Sequence, residues 1–174
     1  MKKNLFLLFA LALGVFVSLN SCGEKDACED KNCGNGICLD GTCDCDAGYE
    51  YDADGNCNVE VRAKLFGNYE VTETDPLCSS DPTPYLAKIE TDAASVTSIA
   101  IKNFYASGDI TATVSNDSKI AIASQDLGSD YTVSGNGTIE TVSGKIQLTM
   151  NYTVNLKSDG SELAKCTNVI WVKQ

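Results

Sequence analysis

The sequence predicts a mostly β protein that combines a small disulfide-rich part with an antiparallel β-barrel or sandwich of about eight strands. Six cysteines fall within the thirty residues 28–57, too short a stretch to bury a useful core without crosslinks. From about residue 59 onward cysteines become rare. Short β-branched and aromatic runs are instead broken by Gly, Asn, Asp and Ser, which is typical of strands and turns.

Residues 1–21 have the order of a secretory signal peptide. Lys2 and Lys3 form a basic start, and an uncharged run of 13 residues follows at 5–17. A membrane-spanning helix needs about 20 apolar residues, so this run favours a cleaved signal over a permanent span. We therefore expect the mature chain to begin after residue 21.

The signal ends in Leu19-Asn20-Ser21-Cys22, which resembles the lipobox of bacterial lipoproteins. Asn20 is a less usual residue at its position, whereas the other three fit. The resemblance implies that diacylglycerol is attached to Cys22, that the signal is cut before it, and that the new amine is acylated. Residues 22–27 are then a lipidated tether. The alternative is an ordinary secreted protein with a free Cys22.

Gly23 follows the proposed lipid site. In many Gram-negative lipoproteins an Asp at this position signals retention in the inner membrane. We therefore expect lipid anchoring in the cell outer membrane, on its periplasmic or surface-exposed side.

The charge of the chain limits its partners. Loss of residues 1–21 removes two lysines and no acid, which leaves eleven basic against twenty-four acidic residues and lowers the net charge from −11 to −13. Such a surface repels nucleic acid and anionic lipid. Membrane attachment is therefore expected to come from the acyl chains.

Eight cysteines remain when Cys22 is assigned to lipid. An even number in an exported chain favours four disulfides over free thiols or metal clusters. Each crosslink in the first part is expected to contribute about 2–4 kcal/mol to stability. Spacing alone allows fifteen pairings of the six clustered cysteines.

These six cysteines are spaced x4, x4, x4, x1 and x11, and residues 43–49 read Cys-Asp-Cys-Asp-Ala-Gly-Tyr. The pattern resembles a short, tenascin-like EGF-like module, and the resemblance covers residues 28–57 only. It implies the disulfides Cys28–Cys38, Cys33–Cys43 and Cys45–Cys57.

Some EGF-like modules bind calcium through acidic residues just before the first cysteine. Glu24 and Asp26 are the candidate ligands here, because carboxylate oxygens suit Ca²⁺. Ala27 replaces the expected acid or amide, and residues 39–42 contain no aromatic residue, so we expect no metal or other cofactor. The acidic run 52–56 lacks the remaining ligands of an EF-hand and predicts a hydrated turn.

Residues 58–64 are predicted to be a linker, and residues 65–174 an all-β domain. Its clearest strand is 146–156, where apolar and polar residues alternate, so that one face is buried and the other is wet. The apolar residues are Ile146, Leu148, Met150, Tyr152, Val154 and Leu156. The other predicted strands lie near 65–73, 85–91, 95–104, 108–115, 118–124, 130–142 and 164–173. The predicted turns include Asn116-Asp117-Ser118, Ser134-Gly135-Asn136-Gly137 and Ser158-Asp159-Gly160.

Regular spacing and short connections favour an antiparallel meander, but periodicity does not separate a barrel from a sandwich. Cys78 and Cys166 lie near opposite ends of this domain. A bond between them closes a loop of nearly ninety residues, for which chain entropy gives about 4–5 kcal/mol. It would hold segment 75–84, which contains all three prolines and is expected to be rigid and exposed, against the last strand.

The opening Leu65-Phe66-Gly67-Asn68-Tyr69-Glu70-Val71, the strand around 99–104 and the closing cysteine-bearing strand together resemble the lipocalin-like β domains of surface lipoproteins. The resemblance implies an eight-stranded meander over 65–174. It assigns a ligand role to no residue.

The composition argues against catalysis. The sequence contains no histidine, which excludes Ser-His-Asp and Cys-His activation of a nucleophile. Carboxylates are numerous, but no pair is marked as converging on a cleft as a glycosidase requires. Trp171 is expected to lie in the core rather than to stack on sugars. We therefore expect a protein that is not an enzyme.

The leading functional hypothesis is a lipid-anchored cell-envelope module in which the EGF-like unit spaces or presents the β domain for contact with a protein or glycan. The alternative is a lipocalin-type carrier that encloses a small apolar ligand. The bulky inward residues of 146–156 favour a filled interior and thus the first hypothesis. A purely structural role in envelope assembly is a third possibility.

Overall fold

The structure, a computed structural model, describes residues 27–79 and 83–174. Within them the chain forms twelve strands and one short 3-10 helix. The first four strands are β1 (Gly36–Leu39), β2 (Thr42–Cys45), β3 (Tyr49–Glu50) and β4 (Val59–Glu60). The 3-10 helix is Val61–Leu65. The remaining strands are β5 (Gly67–Thr72), β6 (Tyr85–Thr91), β7 (Ser98–Phe104), β8 (Gly108–Val114), β9 (Lys119–Leu127), β10 (Tyr131–Val142), β11 (Lys145–Leu156) and β12 (Glu162–Lys173).

Strands β5 to β12 follow one another around a closed antiparallel barrel. The last strand returns to the first, with a register that runs from Ile170↔Thr72 to Lys173↔Tyr69. The mostly β prediction is confirmed, and the choice that periodicity left open is resolved as a barrel. Closure satisfies the backbone groups that a sheet edge would leave free.

The connections alternate between the two ends of the barrel, because consecutive strands run in opposite directions. The module end carries the start of β5 and the β6–β7, β8–β9 and β10–β11 turns. The loop end carries segment 73–84 and the β7–β8, β9–β10 and β11–β12 turns.

Inward side chains fill the barrel. The predicted alternation along β11 is confirmed in its central part, where four apolar side chains are buried, whereas Ile146 and Leu156 at the strand ends are only partly covered. The four are Leu148, Met150, Tyr152 and Val154. An alternating strand therefore places its apolar face inside the barrel, as period-2 patterning requires.

The sequence-based prediction that residues 134–137 form a turn is wrong. They lie within β10, where Gly135 pairs with Tyr152 and Gly137 with Met150. A Cβ at Gly135 would lie 2.7 Å from Tyr152 Cβ, and one at Gly137 would overlap the Met150 sulfur. Glycine here makes room for large neighbours and does not turn the chain.

Three aromatic rings meet at the centre of the barrel. Trp171 is fully buried, as expected, and its ring centroid lies 5.7 Å from that of Phe104 and 6.3 Å from that of Tyr69. The Tyr69 hydroxyl donates a hydrogen bond to Leu65 O at 2.8 Å. Among the described residues, the indole N–H of Trp171 is the buried side-chain polar group that has no hydrogen-bond partner. Leaving this donor unpaired lowers the free energy of unfolding by about 1–3 kcal/mol, which the surrounding packing offsets.

The disulfide-rich module, residues 28–57, has a core made of its own crosslinks. Its three disulfides join Cys28 to Cys38, Cys33 to Cys43 and Cys45 to Cys57, the pairing that the family resemblance implies. Cys33, Cys43 and Cys57 are buried. The short ladders β1–β2 and β3–β4 complete this part of the chain.

A further disulfide, Cys78–Cys166, closes the long loop as expected, with a sequence separation of 88. It holds the segment after β5 against β12. Lys165 N donates to Leu77 O at 3.1 Å, and the Thr167 hydroxyl donates to Asp75 Oδ2 at 2.7 Å. Residues 80–82 of the proline-containing segment lie outside the described residues.

Residues 58–64, which the sequence suggested as a linker, form β4 and most of the 3-10 helix. Arg62 on this helix is only 8% exposed. Its Nη1 lies 2.7 Å from each of three carbonyl oxygens, and its Nε donates to Glu60 at 2.9 Å. The three carbonyls belong to Asp92, Ser95 and Ser98, around the β6–β7 turn. The guanidinium therefore ties the helix to the module end of the barrel.

The β8–β9 seam is the shortest ladder among the described barrel strands. It consists of Thr113↔Ala121 and Val114↔Ile120. Farther along, the Gln125 side chain takes the place of a strand neighbour, because its amide accepts from Thr111 N at 2.8 Å and donates to Thr111 O at 2.7 Å. A side chain thus supplies hydrogen bonds that backbone supplies elsewhere in the wall.

We expect Arg62→Met to lower the free energy of unfolding by about 2–4 kcal/mol, because the aliphatic stem is kept while three carbonyls lose a charged donor. Urea unfolding followed by the fluorescence of Trp171, the only tryptophan, measures this change. Lys64→Met is the matched control, since its ion pair with Glu50 is partly exposed and is expected to contribute under about 1 kcal/mol. Equal losses in the two variants would contradict the assigned role of Arg62.

Candidate functional site

The module is joined to the barrel by the side chain of Asn116, in the β8–β9 turn. Gly48 N donates to Asn116 Oδ1 at 2.8 Å, and Asn116 Nδ2 donates to Tyr49 O at 3.0 Å. Nδ2 also lies 3.4 Å from Asp46 O. One carboxamide therefore bonds both a donor and acceptors of the module backbone, in the manner of a neighbouring strand.

Gly48 permits the close approach on which this contact depends. Its φ is +94°, a region that favours glycine, and a Cβ there would lie 2.8 Å from Val96 Cγ2 and 2.9 Å from Thr97 Cγ2. The module backbone thus packs directly on the β6–β7 turn. A side chain at position 48 would push the two parts of the protein apart.

A second set of contacts joins the module to the 3-10 helix. Val61 N, at the start of the 3-10 helix, donates to Gly48 O at 2.9 Å. Lys64 Nζ on the same helix lies 2.9 Å from Glu50 Oε2. Because the helix is itself tied to the barrel by Arg62, the module is held both by the β8–β9 turn and by the helix.

A cleft of about 550 Å³ runs along this junction. Ala47 and Gly48 line it on the module side, and the β8–β9 hairpin lines it on the barrel side. Asp117 and Lys119 form an ion pair beside it. Hydrogen bonds from Lys119 and then from Ser115 hold the pKa of the Asp117 carboxyl below its usual value.

The outer face of the module carries two exposed aliphatic side chains. Ile37 is 58% exposed and Leu39 is 52% exposed. They stand two residues apart on β1 and therefore on the same face, which we call the aliphatic strip. Their cross-strand neighbours, Asp44 and Thr42, give this strip a polar border.

The predicted site residues are distributed as follows. The lipid-attachment residue Cys22 and the candidate calcium ligands Glu24 and Asp26 lie outside the described residues. Within residues 27–79 and 83–174, no three His, Cys, Asp or Glu side chains come together as a metal site would require.

The acidic run 52–56 forms a turn, as the sequence predicts. Asp52 Oδ1 accepts from the backbone N–H groups of Asp54 at 3.0 Å and Asn56 at 2.9 Å, and Oδ2 accepts from Asn58 Nδ2 at 2.8 Å. These bonds, with those to Asn56 and Asn58 strongest, hold the pKa of this carboxyl below its usual value. The carboxylate is thus occupied by its own chain.

The interior of the barrel is occupied by side chains. Large buried residues from six strands and from the 3-10 helix fill its centre, and three clefts of about 550, 430 and 380 Å³ open at its surface. Among the largest of these residues are Trp171, Tyr69, Phe104, Leu65, Ile89 and Ile99.

Sequence reasoning recognised residues 116–118 as a turn but missed the role of Asn116. Its partners lie 67 to 70 residues away in the sequence, and no local pattern indicates them. Gly48 was noted only as part of the cysteine motif. Arg62 carried a usable signal, since it is the only arginine in the sequence.

Comparison of the chain with protein-family models, with curated proteins and with solved structures gave no match. Within residues 27–79 and 83–174, the chain forms no helix with the length and apolar character needed to cross a bilayer.

We expect Asn116→Ala to loosen the junction while the barrel stays folded, because Gly48 N–H and Tyr49 C=O lose their side-chain partner. A loss of about 1–3 kcal/mol corresponds to roughly 5- to 150-fold faster exchange of the Gly48 amide hydrogen. Hydrogen exchange followed by NMR measures this rate. Asn136→Ala, on the exposed side of β10, is the control and should leave it unchanged. Unchanged protection of Gly48 in both variants would show that Asn116 does not hold the module.

Proposed function

We propose that this chain is a non-enzymatic, lipid-anchored protein of the cell envelope that offers a preoriented surface to a protein partner. The fixed junction between module and barrel is the observation that carries the proposal. Binding costs less when the contacting groups are already held in place, because less conformational entropy is lost. A module that is crosslinked internally and bonded to a barrel meets this condition.

Export and anchoring are supported by the N-terminal sequence. A basic start, an apolar run and Leu19-Asn20-Ser21-Cys22 follow one another in the order expected of a lipoprotein signal. The four disulfides seen among the described residues suit an oxidising compartment outside the cytoplasm. Gly23 favours delivery to the outer membrane.

The chemistry of the module surface favours a protein over a glycan as partner. The exposed side chains of Ile37 and Leu39 are aliphatic, whereas glycan sites use aromatic rings for stacking. Trp171 is buried, and the exposed ring of the module is that of Tyr51, whose hydroxyl bonds Cys43 O. Glycan contact is therefore the less favoured form of the same hypothesis.

The second candidate function is a lipocalin-type carrier of a small apolar ligand. The closed eight-stranded meander is compatible with it. A carrier needs internal volume, however, and the core of this barrel holds packed side chains. The packing weighs in favour of a surface function.

We expect Cys22→Ser to abolish lipid attachment, because the hydroxyl does not replace the thiol that receives diacylglycerol. The variant should lose metabolic labelling by a fatty-acid analogue and leave the membrane fraction. Asn20→Ser, which alters the signal but keeps the thiol, is the control and should remain labelled. Labelling that survives Cys22→Ser would overturn the proposed anchor.

The proposed partner contact is tested by placing a photo-crosslinking amino acid at position 37 in cells that naturally make the protein. A protein adduct is expected at this position, whereas position 163, an exposed leucine on the barrel, should give none. Ile37→Ser combined with Leu39→Ser should lower the affinity for the identified partner about tenfold or more. The reason is that the two aliphatic side chains no longer bury apolar surface on binding.

Two outcomes would contradict the contact. Adducts of equal yield at positions 37 and 163 would indicate random collision, and unchanged affinity in the double variant would show that the aliphatic strip is not the contact surface.

A further inference from the structure

A buried carboxylate lies at the loop end of the barrel, away from the module. Glu73 follows β5 in step with the inward residues Tyr69 and Val71, and it is only 7% exposed. A carboxylate in this position loses most of its hydration and requires hydrogen bonds or a cation in exchange.

Two tyrosines supply part of that requirement, and both act on one oxygen. The hydroxyl of Tyr85 donates to Glu73 Oε1 at 3.0 Å, and the hydroxyl of Tyr152 donates to the same atom. Burial raises the pKa of both hydroxyls, and the nearby Glu73 carboxylate raises it further. They therefore remain neutral donors.

The second oxygen of Glu73 has no hydrogen-bond donor within residues 27–79 and 83–174. Both tyrosine hydroxyls bond Oε1, whereas Oε2 is not completely sealed inside the protein. Oε2 is thus the part of this carboxylate that no described protein group pairs with. No described lysine or arginine forms an ion pair with this carboxylate.

Glu73 lines a cleft of about 380 Å³, together with the rings of Tyr85 and Tyr105 and the residues Ser107 and Thr83. The two rings are held in place. Tyr105 OH donates to Cys78 O at 2.8 Å, and Tyr105 N donates to the Tyr85 hydroxyl at 3.1 Å. The cleft thus combines one incompletely paired negative charge with fixed aromatic walls.

We propose that this cleft binds a small organic ammonium ion whose nitrogen pairs with Glu73 and whose substituents pack against Tyr85 and Tyr105. A carboxylate attracts the charge, and aromatic faces attract the alkyl groups of a cation. The excess of acidic over basic residues raises the local concentration of cations and repels anions.

A metal ion fits this cleft less well. Ca²⁺ takes six to eight oxygen ligands and Mg²⁺ prefers an octahedral set, whereas the cleft offers one carboxylate. Aromatic rings contribute nothing to the binding of a hard cation through oxygen. The walls therefore select an organic cation.

The test uses the purified protein with its disulfides intact and three probes: n-butylammonium, tetramethylammonium and butyrate. NMR titration should show saturable shifts at Tyr85, Tyr105 and Ser107 with one or both ammonium ions, with a dissociation constant of about 1 mM or tighter. Butyrate, which has the chain of the first probe and the opposite charge, should produce none.

Glu73→Gln should reduce the affinity for the ammonium probe at least tenfold, whereas Glu140→Gln, on the exposed face of β10, should leave it unchanged. Ser107→Trp places a large ring at an exposed position of the cleft while Glu73 is kept, and it should also abolish binding. This second variant decides the question if Glu73→Gln does not fold.

The proposal is overturned if neither ammonium ion binds, if butyrate binds as tightly as they do, or if ammonium binding survives the substitution that folds. None of these results bears on the aliphatic strip, which belongs to the module, so the two proposals fail separately.

Discussion

An antiparallel sheet closes into a barrel only when its first and last strands meet, and here most of the chain separates them. β5 and β12 meet through the register from Thr72↔Ile170 to Tyr69↔Lys173. From these two strands Tyr69 and Trp171 point inward and pack with Phe104, so closure and the aromatic core form together. The remaining features are placed by this contact. The 3-10 helix enters β5 at the module end, the Cys78–Cys166 disulfide links the segment after β5 to β12, and Glu73 extends β5 into the loop end.

Much of the fold was predictable because a filled barrel has one dry and one wet face on every strand. Because of this requirement, apolar and polar residues alternate along each strand. The prediction of β6, for example, has the bounds 85–91 that the structure shows. Residues 134–137 show where the local pattern fails. A glycine that turns the chain and a glycine that makes room for Met150 or Tyr152 look the same in sequence. Barrel closure was also beyond local reasoning, because it depends on the pairing of β5 with β12.

The candidate sites were less predictable, since each depends on residues that are distant in sequence. Asn116 bonds module backbone across a separation of 67 residues or more, which no turn motif encodes. Glu73 did carry a signal, because a carboxylate in phase with Tyr69 and Val71 faces inward, but its tyrosine partners come from β6 and β11. Arg62 was noticeable as a lone arginine in an acidic chain, yet the carbonyls that surround it belong to another turn.

The short β8–β9 ladder is where we expect the barrel wall to open locally. Local opening follows the line of fewest backbone hydrogen bonds, and here part of that line is spanned by the side chain of Gln125. A side-chain amide has rotamer freedom that a strand lacks, so we expect this stretch to open before the rest of the circumference. The turn at the end of the line is the one that Asn116 bonds to the module. The module is therefore bonded to the end of the shortest ladder among the described barrel strands, and a force applied to the module would act on that ladder first.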